Sequence, residues 1–340
     1  MSRMNRRIVL ASRPHGAASA DNFRLETVPV PEPGEGEVLI RHRFLSLDPY
    51  MRGRMSEAKS YAAPQPLGEV MIGGTAGEVI ASRHAGYREG DSVVSMGGWQ
   101  EYSIARGDAG ALAPRKVDAR RAPLSAFLGV LGMPGVTAWY GLNAICEPKP
   151  GETVAVSAAS GAVGGVVGQL AKLKGCRVVG VAGGREKCDY VVRELGFDAC
   201  IDYKAAADVR ALGEQLAAAA PAGIDGYFEN VGGAVLDAVL PLMNAFGRIA
   251  VCGMISSYDG SPAPLANPML ILRSRLKVQG FIVAEHPSAW PQAMAEIGAA
   301  LAAGKLKYRE SVAEGIERAP EAFLGLLTGR NFGKQLVKLG

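Results

Sequence analysis

Up to about residue 120, hydrophobic positions come in short runs rich in β-branched residues: Ile8–Ala11, Phe23–Val28, Glu37–Phe44, Ala76–Ala81, Ser92–Met96 and Gln100–Ile104. Gly and Pro clusters such as VPVPEPGEGE separate them, and no long helical period intervenes. This pattern predicts a compact β-barrel-like domain. From Gly151 the rhythm changes. Strands are predicted at Thr153–Ser157, Arg177–Ala182, Cys200–Tyr203, Gly226–Asn230, Arg248–Cys252 and Lys277–Val283. Helical periods fall between and after them, at Gly164–Lys174, Glu186–Leu195, Val209–Ala219, Ala234–Asn244 and Pro291–Ala303. Strands alternating with helices of this length predict a parallel, doubly wound α/β sheet. The chain therefore divides at 1–129 and 130–307, and the final segment, 308–340, ends in a strand-like QLVKL that returns to the first domain.

Composition narrows the classes. The 340 residues suffice for two domains, and 48% hydrophobic with 21% charged residues is ordinary for a globular protein. A net charge of +4, with no basic cluster interleaved with aromatics, argues against a nucleic-acid partner. Two uncharged stretches, Leu124–Cys146 and Thr153–Ala171, are long enough to test as membrane spans, but both are interrupted by Gly, Pro, Ser, Thr or Asn. No membrane span is expected. The apolar run after Arg3, Arg6 and Arg7 stops at Arg13, too short for an export signal. The five cysteines are odd in number and form no CxxC pair, so they read as reduced thiols of a cytoplasmic protein.

The strongest chemical signal is TVAVSAASGAVGGVVGQLAKLKG, Thr153–Gly175. A buried strand runs into Ala159-x-Gly161-x-x-Gly164, and a helix follows. Gly161 lets the backbone approach a pyrophosphate, Gly164 lets helix and strand pack closely, and the helix N-terminus offers free N–H groups to phosphate. Ala159 replaces the first glycine of the usual fingerprint, so the strand–turn–helix context carries the assignment. An NAD site places an acid at the end of the second strand. Here the strand ends in Ala182-Gly183-Gly184-Arg185-Glu186-Lys187, with glycines at the tip and two cations following. Tyr203, closing the third strand, is placed to reach an adenosine phosphate. NADP is the expected cofactor.

No metal is expected. No cysteine precedes Cys146, and His15, His42, His84 and His286 lie in unrelated contexts, each reading as a surface or loop residue. Where zinc-dependent relatives carry Gly-His-Glu, this chain has Gly73-Gly74-Thr75-Ala76-Gly77.

Over essentially its whole length the chain resembles the zinc-free medium-chain reductases that include prostaglandin reductase/leukotriene B4 12-hydroxydehydrogenase, plant alkenal double-bond reductases and bacterial curcumin reductase. The segments that carry the likeness are LSLDPYMRGRM at 45–55, Ser157–Gly175, Glu186–Tyr203, FENVGG at 228–233, VCGMISSY at 251–258 and GRNFGK at 329–334. The resemblance implies a GroES-like first domain completed by the C-terminal segment, a Rossmann domain and a homodimer. It implies that Lys187 and Tyr203 bind the 2′-phosphate beside Gly183, and that Ala162 and Val163 belong to the phosphate loop with Ala159, Gly161 and Gly164. Asn230, Cys252, Gly253, Met254, Phe281, Val283, Asn331 and Gly333 are implied cofactor contacts. Met133 and Thr137, in the linker before the Rossmann domain, would flank the nicotinamide.

Two tyrosines are the catalytic candidates. Tyr258 follows the fifth strand at the carboxyl end of the sheet, where open α/β folds bind ligands. In the resembled plant reductases a tyrosine of this segment stabilises an enolate, and here it would contact the cofactor too. Tyr50, in Asp48-Pro49-Tyr50, would line the pocket opposite. Arg52 reads equally as an ion-pair partner of Asp48 or as a substrate contact. The implied reaction is NADPH-dependent reduction of the double bond in small α,β-unsaturated carbonyl compounds. A quinone reductase, a metal-free alcohol/ketone oxidoreductase and a non-catalytic NADPH-binding protein are the alternatives.

Overall fold

The computed structural model describes residues 3–262 and 264–340, in two units: residues 130–309, and residues up to 129 together with 310–340. In the unit 130–309, six parallel strands run β1 (Thr153–Ser157), β2 (Arg177–Ala182), β3 (Ala199–Asp202), β4 (Ile224–Glu229), β5 (Met243–Val251) and β6 (Lys277–Gly280). Their spatial order is β3-β2-β1-β4-β5-β6, which is the doubly wound dinucleotide-binding order. All five residues of β1 are buried, as expected of a central strand covered on both faces. Helices at Gly164–Leu173, Arg185–Arg193, Val209–Ala219 and Gly233–Val239 connect the strands. The helix at 209–219 starts where Asp208 accepts the Ala211 N–H at 2.8 Å.

Three sequence expectations in this unit are corrected. The helix expected over Ala234–Asn244 ends at Val239, because Pro241 turns the chain through a short 3-10 segment and β5 already begins at Met243. The last strand stops at Gly280, and Val283 opens a 3-10 turn instead. Met133 and Thr137 lie on no linker. They belong to the helix Met133–Tyr140 of this unit, where Thr137 Oγ1 donates to the Met133 carbonyl at 2.7 Å.

In the other unit, the strand Glu37–Ser46 is the hub. It pairs antiparallel with Thr75–Ser82, with Tyr102–Arg106 and with Lys334–Lys338, the last through Leu336↔Ser46 and Val337↔Leu45. Glu310–Glu314 adds parallel to Lys334–Lys338, with the helix Ala319–Leu327 between them. The core is assembled around Trp99, whose ring stacks on Phe23 at 5.4 Å and meets Phe323 edge-on at 5.5 Å, with Met51, Met55 and Met71 filling round it. The return to this unit comes at Glu310 rather than at residue 308. Lys307 is held in the other unit by both its N–H and its carbonyl, through the Gln169 amide at 2.7 and 2.8 Å, and Arg309 lies over the Tyr190 ring.

His42 corrects the reading of every histidine as a surface or loop residue. It lies in the strand Glu37–Ser46, wholly buried, with Nε2 2.8 Å from Ser103 Oγ. Burial pushes its pKa down to about 3, so it is neutral at physiological pH.

Candidate active site

β1 delivers the chain into Ala158, which takes a left-handed φ of 49°, and then into the loop leading to the helix Gly164–Leu173. A Cβ at Gly164 would stand 2.4 Å from the Ala158 carbonyl oxygen, so only glycine lets this helix start so close to the strand. A Cβ at Gly161 would meet the same oxygen at 3.1 Å. Ala159 is fully buried, with its N–H bonded to the Val181 carbonyl. At the helix start the Gly165 N–H bonds the Gly161 carbonyl and the Val166 and Val167 N–H groups bond the Val163 carbonyl, each at 3.0 Å, and the positive end of the helix dipole is what suits such a terminus to a pyrophosphate. Ala162 and Val163 form the turn immediately before it. This cradle fits a dinucleotide.

The tip of β2 carries the next group of candidate residues. Gly183 is overlaid by two side chains: a Cβ there would be 2.9 Å from Tyr203 Cε1, 3.1 Å from its hydroxyl and 3.0 Å from Lys204 Cε. Asp202 Oδ1 accepts the N–H groups of both Gly184 (2.7 Å) and Lys204 (3.0 Å), tying the ends of β2 and β3 together. Lys187, on the first turn of the following helix, is half-buried. Its pKa is lowered from the ordinary lysine value by burial and by the nearby Lys204 charge, with Glu186 opposing. Arg185 is exposed and faces Asp189 at 3.9 Å along its own helix, so it is a solvated helix residue. Lys204, a second cation directly after Tyr203, was not singled out from the sequence.

At the carboxyl ends of β4 and β5 a buried carboxylate organises the backbone. Glu229, fully buried, accepts from Ser157 Oγ at 2.8 Å, from the Tyr227 hydroxyl at 2.8 Å and from the Val231 N–H. Ser157 Oγ in turn accepts the Asn230 N–H at 2.7 Å, and the Asn230 amide donates to the Ser157 carbonyl at 2.8 Å. The Glu229 carbonyl takes the N–H groups of Cys252 and Gly253, and the Asn230 and Val231 carbonyls take those of Ile255 and Ser256. Cys252, Gly253 and Met254 are thereby laced to Glu229–Val231. Burial pushes the Cys252 thiol up to about 12, so it stays protonated and is no nucleophile at neutral pH.

Tyr258 caps the 3-10 turn Ile255–Ser257, and its hydroxyl would lie 3.1 Å from a Cβ at Gly253, so the ring folds back over the end of β5. Phe281 is nearly buried, its ring 6.2 Å from Phe228 and 5.5 Å from Tyr140. Only its backbone, bonded to the Val251 carbonyl, follows the strand end. Val283 is buried in the next turn.

Tyr50, Asn331 and Gly333 belong to the other unit. Tyr50 opens the short helix Tyr50–Arg54. Burial, then the neighbouring Asp48, raises its pKa above the usual tyrosine range and keeps its hydroxyl protonated. Asp48 pairs with Lys334, whose buried ammonium reaches Asp48 Oδ1 at 3.1 Å and donates to the Leu47 carbonyl at 2.7 Å. Arg52 reaches the Gly16 carbonyl. The partner of Asp48 thus lies 286 residues away, in the NFGK segment, and sequence reading missed it. In that segment the Asn331 amide donates to the Gly333 carbonyl at 2.8 Å.

Residues 6–112 match the family described as N-terminal domain of oxidoreductase, and residues 162–299 the family described as zinc-binding dehydrogenase. Among the described residues no three His, Cys, Asp or Glu side chains gather as a metal-holding set. The chain is 51% identical to the NADPH-dependent curcumin reductase of Escherichia coli, covering 98% of this chain and 97% of that one. It is 42% identical to the NADP-dependent 2-alkenal reductase of Nicotiana tabacum, with the same coverage of both. The crystal structure of CurA in complex with NADPH from Vibrio vulnificus superposes with a TM-score of 0.92 at 49% identity, covering 98% of this chain and 99% of that one.

Proposed function

Because the chain belongs to the zinc-free medium-chain dehydrogenase/reductases of the curcumin and alkenal reductase group, and is an NADPH-dependent reductase, we propose that it reduces the carbon–carbon double bond of α,β-unsaturated aldehydes and ketones. The observation that carries this reading is Tyr258, held at the carboxyl end of β5 with its hydroxyl beside Gly253. Bound NADPH would supply the hydride for the substrate's β-carbon, and a proton from Tyr258 or water would complete the α-carbon. Negative charge then develops on the carbonyl oxygen, and the Tyr258 hydroxyl donates a hydrogen bond to it. A fixed donor of this kind contributes about 2.7–4 kcal/mol to the transition state. The Gly161–Gly164 turn and the helix after it receive the pyrophosphate. Asn230 and the backbone of Cys252–Met254 hold the nicotinamide half, together with Met133 and Thr137. Asn331 and Gly333 are proposed as cofactor contacts and Tyr50 as a substrate contact.

The test is a substrate panel followed by NADPH absorbance: an enal, an enone, a quinone and a ketone, each with and without a strong chelator. Turnover of the enal and enone, unchanged by the chelator, is expected. Quinone or ketone reduction with no enone reduction would overturn the reading, and loss of activity on chelation would overturn its metal-free chemistry.

The same reading includes a cytoplasmic homodimer. All five cysteines are free thiols, and no helix among the described residues is long and apolar enough to cross a membrane. β6 is one edge of the parallel sheet, and Val278 on it leaves 45% of its surface exposed, as do Met269 and Leu272 just before it to a greater degree. Such an edge is stable when a second strand covers it. Light scattering should give twice the chain mass for the wild type and one chain mass for Val278→Lys. A monomeric wild type would refute the dimer.

A further inference from the structure

We infer that Lys204 is a second cation for the adenosine 2′-phosphate, so that the phosphate is gripped between the Lys187 and Lys204 ammonium groups with the Tyr203 hydroxyl beside them. The inference rests on the reading of NADPH as cofactor with its 2′-phosphate at the tip of β2.

A lysine on an exposed turn ordinarily extends into water. Lys204 is exposed, yet its chain lies across Gly183 beside the Tyr203 ring, with Cε 3.0 Å from where a Cβ at Gly183 would stand. Its backbone is fixed there, because Lys204 and Gly184 share Asp202 Oδ1 and the Tyr203 N–H is bonded to the Ala182 carbonyl at 3.1 Å. Lys187 is anchored at its backbone, its N–H bonded to the Gly184 carbonyl at 3.1 Å. The two side chains come from two different elements, the turn after β3 and the helix after β2, and lie close enough for their charges to interact.

Convergence of like charges costs energy, and the cost is visible in the lowered proton affinity of Lys187, to which Lys204 contributes after burial. Among the described residues no carboxylate pairs with the Lys204 ammonium to relieve it. A phosphate monoester carries about −1.5 to −2 charges near neutral pH, enough to satisfy two ammonium groups at once. An unphosphorylated ribose hydroxyl offers no such relief. The pair therefore discriminates between the two nicotinamide cofactors, attracting one without contributing to the other.

The experiment titrates Lys204→Gln, Lys204→Arg and Lys187→Gln with NADPH, NADH and the fragment 2′,5′-ADP, by calorimetry and without substrate. Lys204→Gln should weaken NADPH and 2′,5′-ADP by about tenfold or more, the effect of one charge-assisted hydrogen bond, and change NADH by less than about twofold. Lys204→Arg should recover most of the loss. If Lys204→Gln binds NADPH like the wild type while Lys187→Gln is impaired, the phosphate site stands and Lys204 is excluded from it. If neither glutamine variant affects NADPH, the placement of the 2′-phosphate itself is wrong. Equal losses for NADPH and NADH would mean that Lys204 supports the fold of the turn and recognises no phosphate.

Discussion

Glu229→Ala is expected to destabilise the unit 130–309 by about 3 kcal/mol, the largest stability effect foreseen for a single residue of the site. The carboxylate is fully buried and accepts from two hydroxyls and one backbone N–H. Its removal leaves Ser157 Oγ and the Tyr227 hydroxyl, both in fully buried residues, without this acceptor. Each orphaned group costs about 1–3 kcal/mol. Part of that is returned, because a buried carboxylate no longer has to be desolvated. A net loss near 3 kcal/mol lowers the melting temperature by roughly 6–12 °C in a unit of this size. Glu229→Gln keeps the shape and one acceptor oxygen, and the tyrosine hydroxyl can turn to accept from the new amide. Its loss should be about half as large. Thermal unfolding of the two variants measures both, and an alanine variant within about 1 kcal/mol of the wild type would remove Glu229 from its place as the hub. The prediction also ties stability to binding: Ser157 holds Asn230, so the alanine variant should bind NADPH more weakly even where it is folded.

The parallel-sheet unit was legible where one residue pattern forces one structure. TVAVS can only be a central strand, since every position is apolar or small and all five are buried. The helix after it was legible because Gly164 permits an approach that no other residue does. The helix Met133–Tyr140 was not legible, for the opposite reason. Six of its eight residues are buried, so it has no polar face to mark a helical period. The over-long helix at 234–244 has a related cause: LPLM continues the apolar rhythm across a proline that changes the structure beneath it. Site residues followed the same division. Tyr203 and Lys187 stand at the ends of recognisable elements and could be proposed from the sequence, whereas Lys204 is distinguished only by where its chain lies. The Lys334–Asp48 pair joins two segments at opposite ends of the chain, and nothing local in DPY or NFGK announces the contact. His42 sits on a strand that was correctly foreseen, but its burial depends on which face of the sheet is covered, which the alternation of LIRHRFL leaves open.

Tyr258→Phe should lower kcat on an enone by roughly 10²–10³, the range that follows loss of one oxyanion donor. The substitution removes a single hydroxyl and keeps the ring. The 3-10 turn that carries it is fixed by backbone bonds from Ile255 and Ser256 to Asn230 and Val231, none of which involves the hydroxyl. Melting temperature and NADPH affinity should therefore match the wild type. The decisive quantity is how the loss divides. A donor that acts only once charge has developed on the substrate oxygen lowers kcat and kcat/KM together, whereas one that merely shapes the pocket raises KM and leaves kcat alone. An unchanged kcat would thus strip Tyr258 of its chemical role and pass the question to Tyr50. That residue, kept protonated by burial and by Asp48, has a hydroxyl able to donate. If Tyr50→Phe then showed the kcat loss instead, Tyr50 would be the oxyanion donor and the turn after β5 would serve the cofactor alone.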